Sequence, residues 1–192
     1  MKRVFIIHGW GGSPDETWLV WLARELEKRG FVVFRLEMPD TNKPTIQSWV
    51  QKLSDSVCSV SDSTYFVGHS IGCQAVMRYL ETLPENSKIG GAVFVAGWFD
   101  LTDETWDDVY TREVAGQWIN TPINFKRLQQ LTNKYVAIMS NNDPYVSLDN
   151  AEVFKKQLGA KVFIEENKGH ISQEDGVDEL PSALDVILEL SR

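Results

Sequence analysis

Six short runs rich in Val, Ile and Phe, separated by stretches of helical period, constrain this chain more than any other feature. The runs fall at residues 4–7, 31–36, 64–67, 92–96, 135–139 and 161–165. Several are nearly continuous in apolar residues, the pattern of strands covered on both faces in a parallel sheet. Between the first two, Trp18, Leu22 and Leu26 share one face of a predicted helix over 18–29. Ser13-Pro14-Asp15-Glu16 reads as a capping box before it and Gly30 as its stop. Ile46, Trp49, Val50, Leu53 and Val57 hold a helical period over 45–57, with Pro44 near the entry. Further helices fit 70–83, ended by Pro84, then 148–158, ended by Gly159, and 180–190. Strand and helix in alternation predict a doubly wound α/β sheet with right-handed crossovers and helices on both faces. Periodicity leaves the strand order open.

At 192 residues the chain fits a single domain, 1–192, with no internal repeat, low-complexity tract or linker. One connection, 97–134, is far longer than the others and carries Trp98, Phe99, Trp106, Tyr110, Trp118 and Phe125. Long insertions in α/β domains tend to be functional, so a cap of one or two short helices is expected at 98–133. A net charge of −8, from 27 Asp+Glu against 19 Lys+Arg, argues against a nucleic-acid partner, which needs clustered cations. No apolar stretch approaches the ~20 residues that span a bilayer, so no membrane association is expected. The apolar run after Met1-Lys2-Arg3 is too short for a secretory leader, and a cytoplasmic location follows as the expectation. Cys58 and Cys73 are too few for a disulfide framework or a zinc site and read as packing residues.

In open α/β sheets ligands bind at the carboxyl ends of the strands, so the residues just after each run carry the chemistry. Gly68-His69-Ser70-Ile71-Gly72 after the third run matches G-x-S-x-G, a sharp strand-to-helix turn that projects a serine hydroxyl at a helix N-terminus. Such a hydroxyl needs a base, and the chain has three histidines, His8, His69 and His170. His69 adjoins the serine, where neighbouring side chains diverge, and His8 is placed to brace the first loop. His170 is therefore the base by elimination and by the order serine, acid, histidine. Asp143 follows the fifth run, with Pro144 behind it to fix its backbone, and is the candidate acid; Asp100, after the fourth, is the rival. Asp149 and Asp175 read as solvated surface acids. His8-Gly9-Trp10-Gly11-Gly12 lets the first loop pass close to a substrate, so the backbone N–H groups of Trp10 and Ile71 are the expected oxyanion donors. A phosphate-cradling role for that loop fails, because neither G-x-G-x-x-G nor the Walker pattern occurs.

These residues resemble the α/β-hydrolase superfamily, and within it the small serine hydrolases grouped with the retinoblastoma-binding protein 9 and YdeN proteins. The resemblance also covers Met38-Pro39-Asp40-Thr41, Asn142-Asp143-Pro144-Tyr145-Val146 and Gly169-His170. It implies a compact hydrolase fold with six parallel strands in the order 2-1-3-4-5-6, lacking the first two strands of larger relatives. It also implies Ser70 as nucleophile, Asp143 as acid and His170 as base, in agreement with the chemistry. A retinoblastoma-type partner is not carried over, because neither cysteine stands in an L-x-C-x-E segment. The reading is a carboxylesterase-like serine hydrolase that cleaves a small or medium acyl ester or amide through an acyl-enzyme. It requires no metal or organic cofactor, and Trp98, Trp106 and Trp118 are candidates to line the acyl pocket. The alternatives are a protein-binding module on a hydrolase fold, or a thioesterase, peptidase or acyltransferase using the same triad.

Overall fold

Each apolar run forms a strand in the computed structural model, which describes residues 1–192. They are β1 (Arg3–Ile7), β2 (Val32–Leu36), β3 (Thr64–His69), β4 (Gly91–Val95), β5 (Tyr135–Ser140) and β6 (Lys161–Glu165). All pairings are parallel, and the order is β2-β1-β3-β4-β5-β6, as the resemblance implied. The helices are α1 (Thr17–Glu27), α2 (Ile46–Val57), α3 (Ile71–Glu81), α4 (Asp103–Trp106), α5 (Val109–Asn120), α6 (Phe125–Leu131), α7 (Asp149–Leu158) and α8 (Pro181–Leu190). None is long and apolar enough to cross a membrane.

Alternation along the strands divides the core in two. Phe5, Ile7, Phe66 and Phe94 meet Trp49 and Leu53 of α2, Val76 and Leu80 of α3, and Phe154 of α7. On the other face Val4, Ile6, Val67, Val93 and Ile138 meet Trp18, Leu22 and Leu26 of α1 and Ile187 of α8. Full burial of each such side chain stabilises by about 1.5–3 kcal/mol, so the two layers clamp the central strands β1, β3 and β4. The edges differ from the expectation of strands covered on both faces. Phe34 of β2 and Phe163 and Ile164 of β6 stay 39%, 39% and 45% exposed, because these two strands form the edges of the sheet.

Three local expectations change. Glu16, not Ser13, is the N-cap of α1 and makes no side-chain capping bond. The Ser13 N–H still donates to Glu16 Oε1 at 3.3 Å, while Ser13 Oγ accepts from the Asp15 N–H at 3.2 Å, which builds a turn ahead of the helix. The long β4–β5 connection holds α4, α5 and α6, three helices rather than one or two. Of these, α6 packs against α3 and α7 and serves as the crossover, which leaves α4 and α5 as the projecting part. Cys73 is buried as expected, whereas Cys58 sits exposed at the C-cap of α2.

Candidate active site

The elbow is built by a strand end and two glycines. β3 delivers Ser70 with φ 53° and ψ −122°, a conformation that costs a non-glycine residue about 1–3 kcal/mol. Its N–H donates to the Val95 carbonyl at 2.9 Å, which ties the turn to β4. A Cβ on Gly68 would lie 2.7 Å from the Cys73 nitrogen, and one on Gly72 would lie 2.6 Å from the Ile7 and His8 carbonyl oxygens. Only glycine lets α3 approach β1 and β3 this closely. Ser70 retains 8% exposure at the floor of a cleft of about 540 Å³.

His170 lies in the loop after β6, with its ring on the cleft wall. Its Nδ1–H donates to Asp143 Oδ2 at 2.7 Å, and the Asp143 side chain is 1% exposed. The other oxygen, Oδ1, accepts from the N–H groups of Tyr145 at 2.9 Å and Val146 at 3.1 Å, which fixes the carboxylate plane. Asp143 therefore orients the imidazole with Nε2 free as an acceptor. Asp100 is elsewhere: it is exposed, and its Oδ1 accepts the N–H of Leu101 at 3.0 Å. Ser70 Oγ makes one hydrogen bond, accepted from Trp98 Nε1–H at 3.4 Å, and none to His170. The loop after β1 forms the opposite rim. The Trp10 N–H has no partner, and Ile71 is the first residue of α3, where N–H groups lack an acceptor within the helix. Both expected oxyanion donors are thus uncommitted.

Of the three tryptophans expected along the pocket, Trp98 lines the cleft and the other two do not. Trp118 is turned into the core. Its Nε1–H donates to the Pro44 carbonyl at 3.1 Å, and its ring packs edge-on against Trp49 at 6.1 Å. Trp106, half-buried at the base of the projecting helices, packs against the same core. Leu101, Thr105, Thr111 and Tyr145 supply the cap side of the wall instead.

The remaining histidines brace the site. His8 Nδ1–H donates to the Gly9 carbonyl at 2.8 Å and its Nε2 accepts from the Met38 N–H at 3.2 Å. Burial holds its pKa below the ordinary histidine value, so it stays neutral. His69 Nε2–H donates to the His170 carbonyl at 2.9 Å, a tie between the elbow and the loop after β6 that adjacency in sequence did not suggest. Its Nδ1 has no partner and faces Glu16 Oε2 at 3.8 Å. Burial, and next the neighbouring His170 charge, pull the His69 pKa down to about 3, and burial pushes Glu16 up. His69 is accordingly neutral in the fold.

Two residues that shape the site were missed. One is Glu16, read as a capping residue. The other is Asp175, whose Oδ2 accepts from the His170 N–H at 2.9 Å, the Ser172 N–H at 3.2 Å and Ser172 Oγ–H at 2.7 Å. The Ser172-to-Asp175 spacing is the signal that would have marked a side-chain-closed turn.

His69 also makes acid sensitivity predictable. It is neutral in the fold but takes a proton below 6.5 when unfolded, so its contribution is complete above 6.5 and is lost as pH falls toward 3. The loss is at most about 1.4 kcal/mol per pH unit. Urea melts between pH 7 and pH 4 should show a shallower decline for His69→Gln, which retains a donor for the His170 carbonyl. Parallel declines would assign the sensitivity to other groups.

The sequence model of the serine hydrolase family matches residues 4–189. The chain belongs to that family. It is 26% identical to the YdeN hydrolase of Bacillus subtilis over 186 residues, covering 97% of this chain and 94% of that protein. It is 25% identical to the serine hydrolase RBBP9 of Rattus norvegicus over 171 residues, covering 88% and 86%. The crystal structure of the B. subtilis ydeN product superposes with a TM-score of 0.89 at 26% identity, over 99% of this chain and 98% of that one. A carboxylesterase structure from the thaumarchaeon Nitrososphaera gargenis shares the fold alone, with a TM-score of 0.68 at 16% identity over 98% and 89%.

Proposed function

We propose that this member of the serine hydrolase family cleaves a small or medium carboxylic ester through an acyl-enzyme on Ser70. The observation that carries the reading is the 2.7 Å bond from His170 Nδ1–H to the buried Asp143, in the cleft whose floor is the strained Ser70. His170 Nε2 takes the Ser70 proton as Oγ attacks the carbonyl, and the imidazolium is held by Asp143. The developing oxyanion falls to the N–H groups of Trp10 and Ile71. His170 then protonates the leaving alcohol, and water activated by the same nitrogen releases the acyl group.

The cleft volume supports a compact substrate, since small-molecule pockets run to about 300–1,000 Å³. A mixed wall favours an ester with an apolar acyl group and a polar end, because Trp98, Leu101 and Tyr145 line the cleft together with Ser13, Glu16 and Glu174. No Lys or Arg lines it, which disfavours anionic substrates. Covalent labelling by a fluorophosphonate, read by intact mass, tests the reading. One adduct on the wild type and none on Ser70→Ala is the expected result. A folded wild type that takes no adduct would turn the reading toward a binding protein.

A further inference from the structure

The one hydrogen bond that Ser70 Oγ makes comes from a side chain to which the triad chemistry assigns no task. Trp98 follows β4, is 2% exposed, lines the cleft and directs Nε1–H at Oγ from 3.4 Å. Its position is fixed from behind. Gln74, one turn into α3 from the serine, donates Nε2–H to the Trp98 carbonyl at 2.8 Å. Arg78, a further turn on, donates to Gln74 Oε1 at 3.2 Å and to the carbonyls of Trp118 at 2.6 Å and Thr121 at 2.7 Å. Gln74 and Arg78 are 1% and 3% exposed, so this relay from the end of α5 to the nucleophile is shut off from water.

We propose that Trp98 is a catalytic residue whose indole N–H stabilises negative charge on Ser70 Oγ as that oxygen attacks and as it departs. The proposal rests on Ser70 being the nucleophile. A serine oxygen has one O–H to donate and two lone pairs. With the proton directed to His170 Nε2 and one lone pair aimed at the carbonyl carbon, one lone pair remains, and the indole N–H occupies it. In acylation the Oγ–H bond breaks as Oγ–C forms, and the carbonyl pair moves to the oxyanion. In deacylation the Oγ–C bond breaks and the proton returns from His170 to Oγ. Charge builds on Oγ in both steps when proton transfer and C–O bonding are out of phase. Indole nitrogen donates and does not accept, so Trp98 adds stabilisation without competing as a base. A donor already held in place through Gln74 and Arg78 costs no reorganisation as the charge develops.

The decisive variant replaces Trp98 by benzothienylalanine, which keeps the bicyclic shape and exchanges N–H for sulfur; Trp98→Phe is the genetically simpler companion. With the wild-type thermal midpoint retained by the isostere, kcat on acetyl esters and the fluorophosphonate labelling rate should both fall about 10- to 100-fold, with KM within about twofold. The same result in Trp98→Phe, measured on its folded fraction, supports the assignment. Wild-type labelling and turnover by the isostere would overturn it, as would a loss confined to KM, the mark of a residue that only lines the pocket. Labelling of Ser70→Ala at the wild-type rate would instead remove the nucleophile assignment, and this proposal with it.

Discussion

Asp143→Asn is expected to lower kcat on a small ester by about 10⁴ while leaving the fold intact. The size of the effect follows from the two oxygens having separate tasks. Oδ1 accepts N–H groups from both Tyr145 and Val146, so an asparagine must keep its carbonyl oxygen there. Its NH₂ is then forced to face His170 Nδ1, which is a donor in the native site. Two donors in opposition drive His170 to the other tautomer, with the proton on Nε2, where the base lone pair is needed. The side chain keeps its volume and both backbone bonds, so thermal stability should change little. Asp100→Asn provides the contrast: its carboxylate is exposed, serves its own backbone turn, and should leave kcat within about twofold. Full activity in Asp143→Asn with loss in Asp100→Asn would exchange their roles.

The sequence contains this geometry only in part. The four central strands were legible because parallel strands buried on both faces are written as short apolar runs, and the edge strands β2 and β6 keep such a run although they are partly exposed. Ser70, Asp143 and His170 could be singled out as candidates because an open α/β sheet delivers its chemistry at strand ends, so position and residue type together narrow the choice. Strand order was not readable from periodicity, since pairing is a long-range property, and came only with the family resemblance. The tryptophans mark the limit more clearly. Trp98 and Trp118 lie in one aromatic-rich segment, yet one faces Ser70 and the other Pro44 and Trp49. Direction is set by where α5 docks, through Tyr110 to the Asn42 carbonyl and Gln117 to the Ile46 N–H, and no local pattern encodes that docking. Glu16 was obscured for a different reason. Its spacing to Ser13 fits a capping box, and half of that box forms, but the second oxygen turns to His69 across the sheet end.

Gly72→Ala should cost about 3 kcal/mol of stability, at the upper end of what an added methyl in a packed core costs. The new Cβ would meet two backbone carbonyl oxygens at 2.6 Å, those of Ile7 at the end of β1 and of His8 just after it. Backbone atoms of a central strand cannot rotate aside as a side chain can, so α3 must back away from the sheet. For a chain of this size that corresponds to roughly a 6–12 °C lower thermal midpoint. Retreat of α3 also carries the Ile71 N–H and Ser70 out of register with the loop after β1, so fluorophosphonate labelling of the folded fraction should slow as well. Gly116→Ala is the matched control, with the opposite sign. It lies in the middle of α5, where a Cβ would find only Asn120 Nδ2 at 3.8 Å and Trp106 at 3.9 Å. Removing a helix-interior glycine there should raise stability by about 0.5–1 kcal/mol and leave labelling unchanged. If both alanines behaved alike in calorimetry, the close approach of α3 to β1 would not be what holds the elbow. A large loss at Gly72 with a gain at Gly116 makes the position of Ser70 a consequence of helix-to-strand contact.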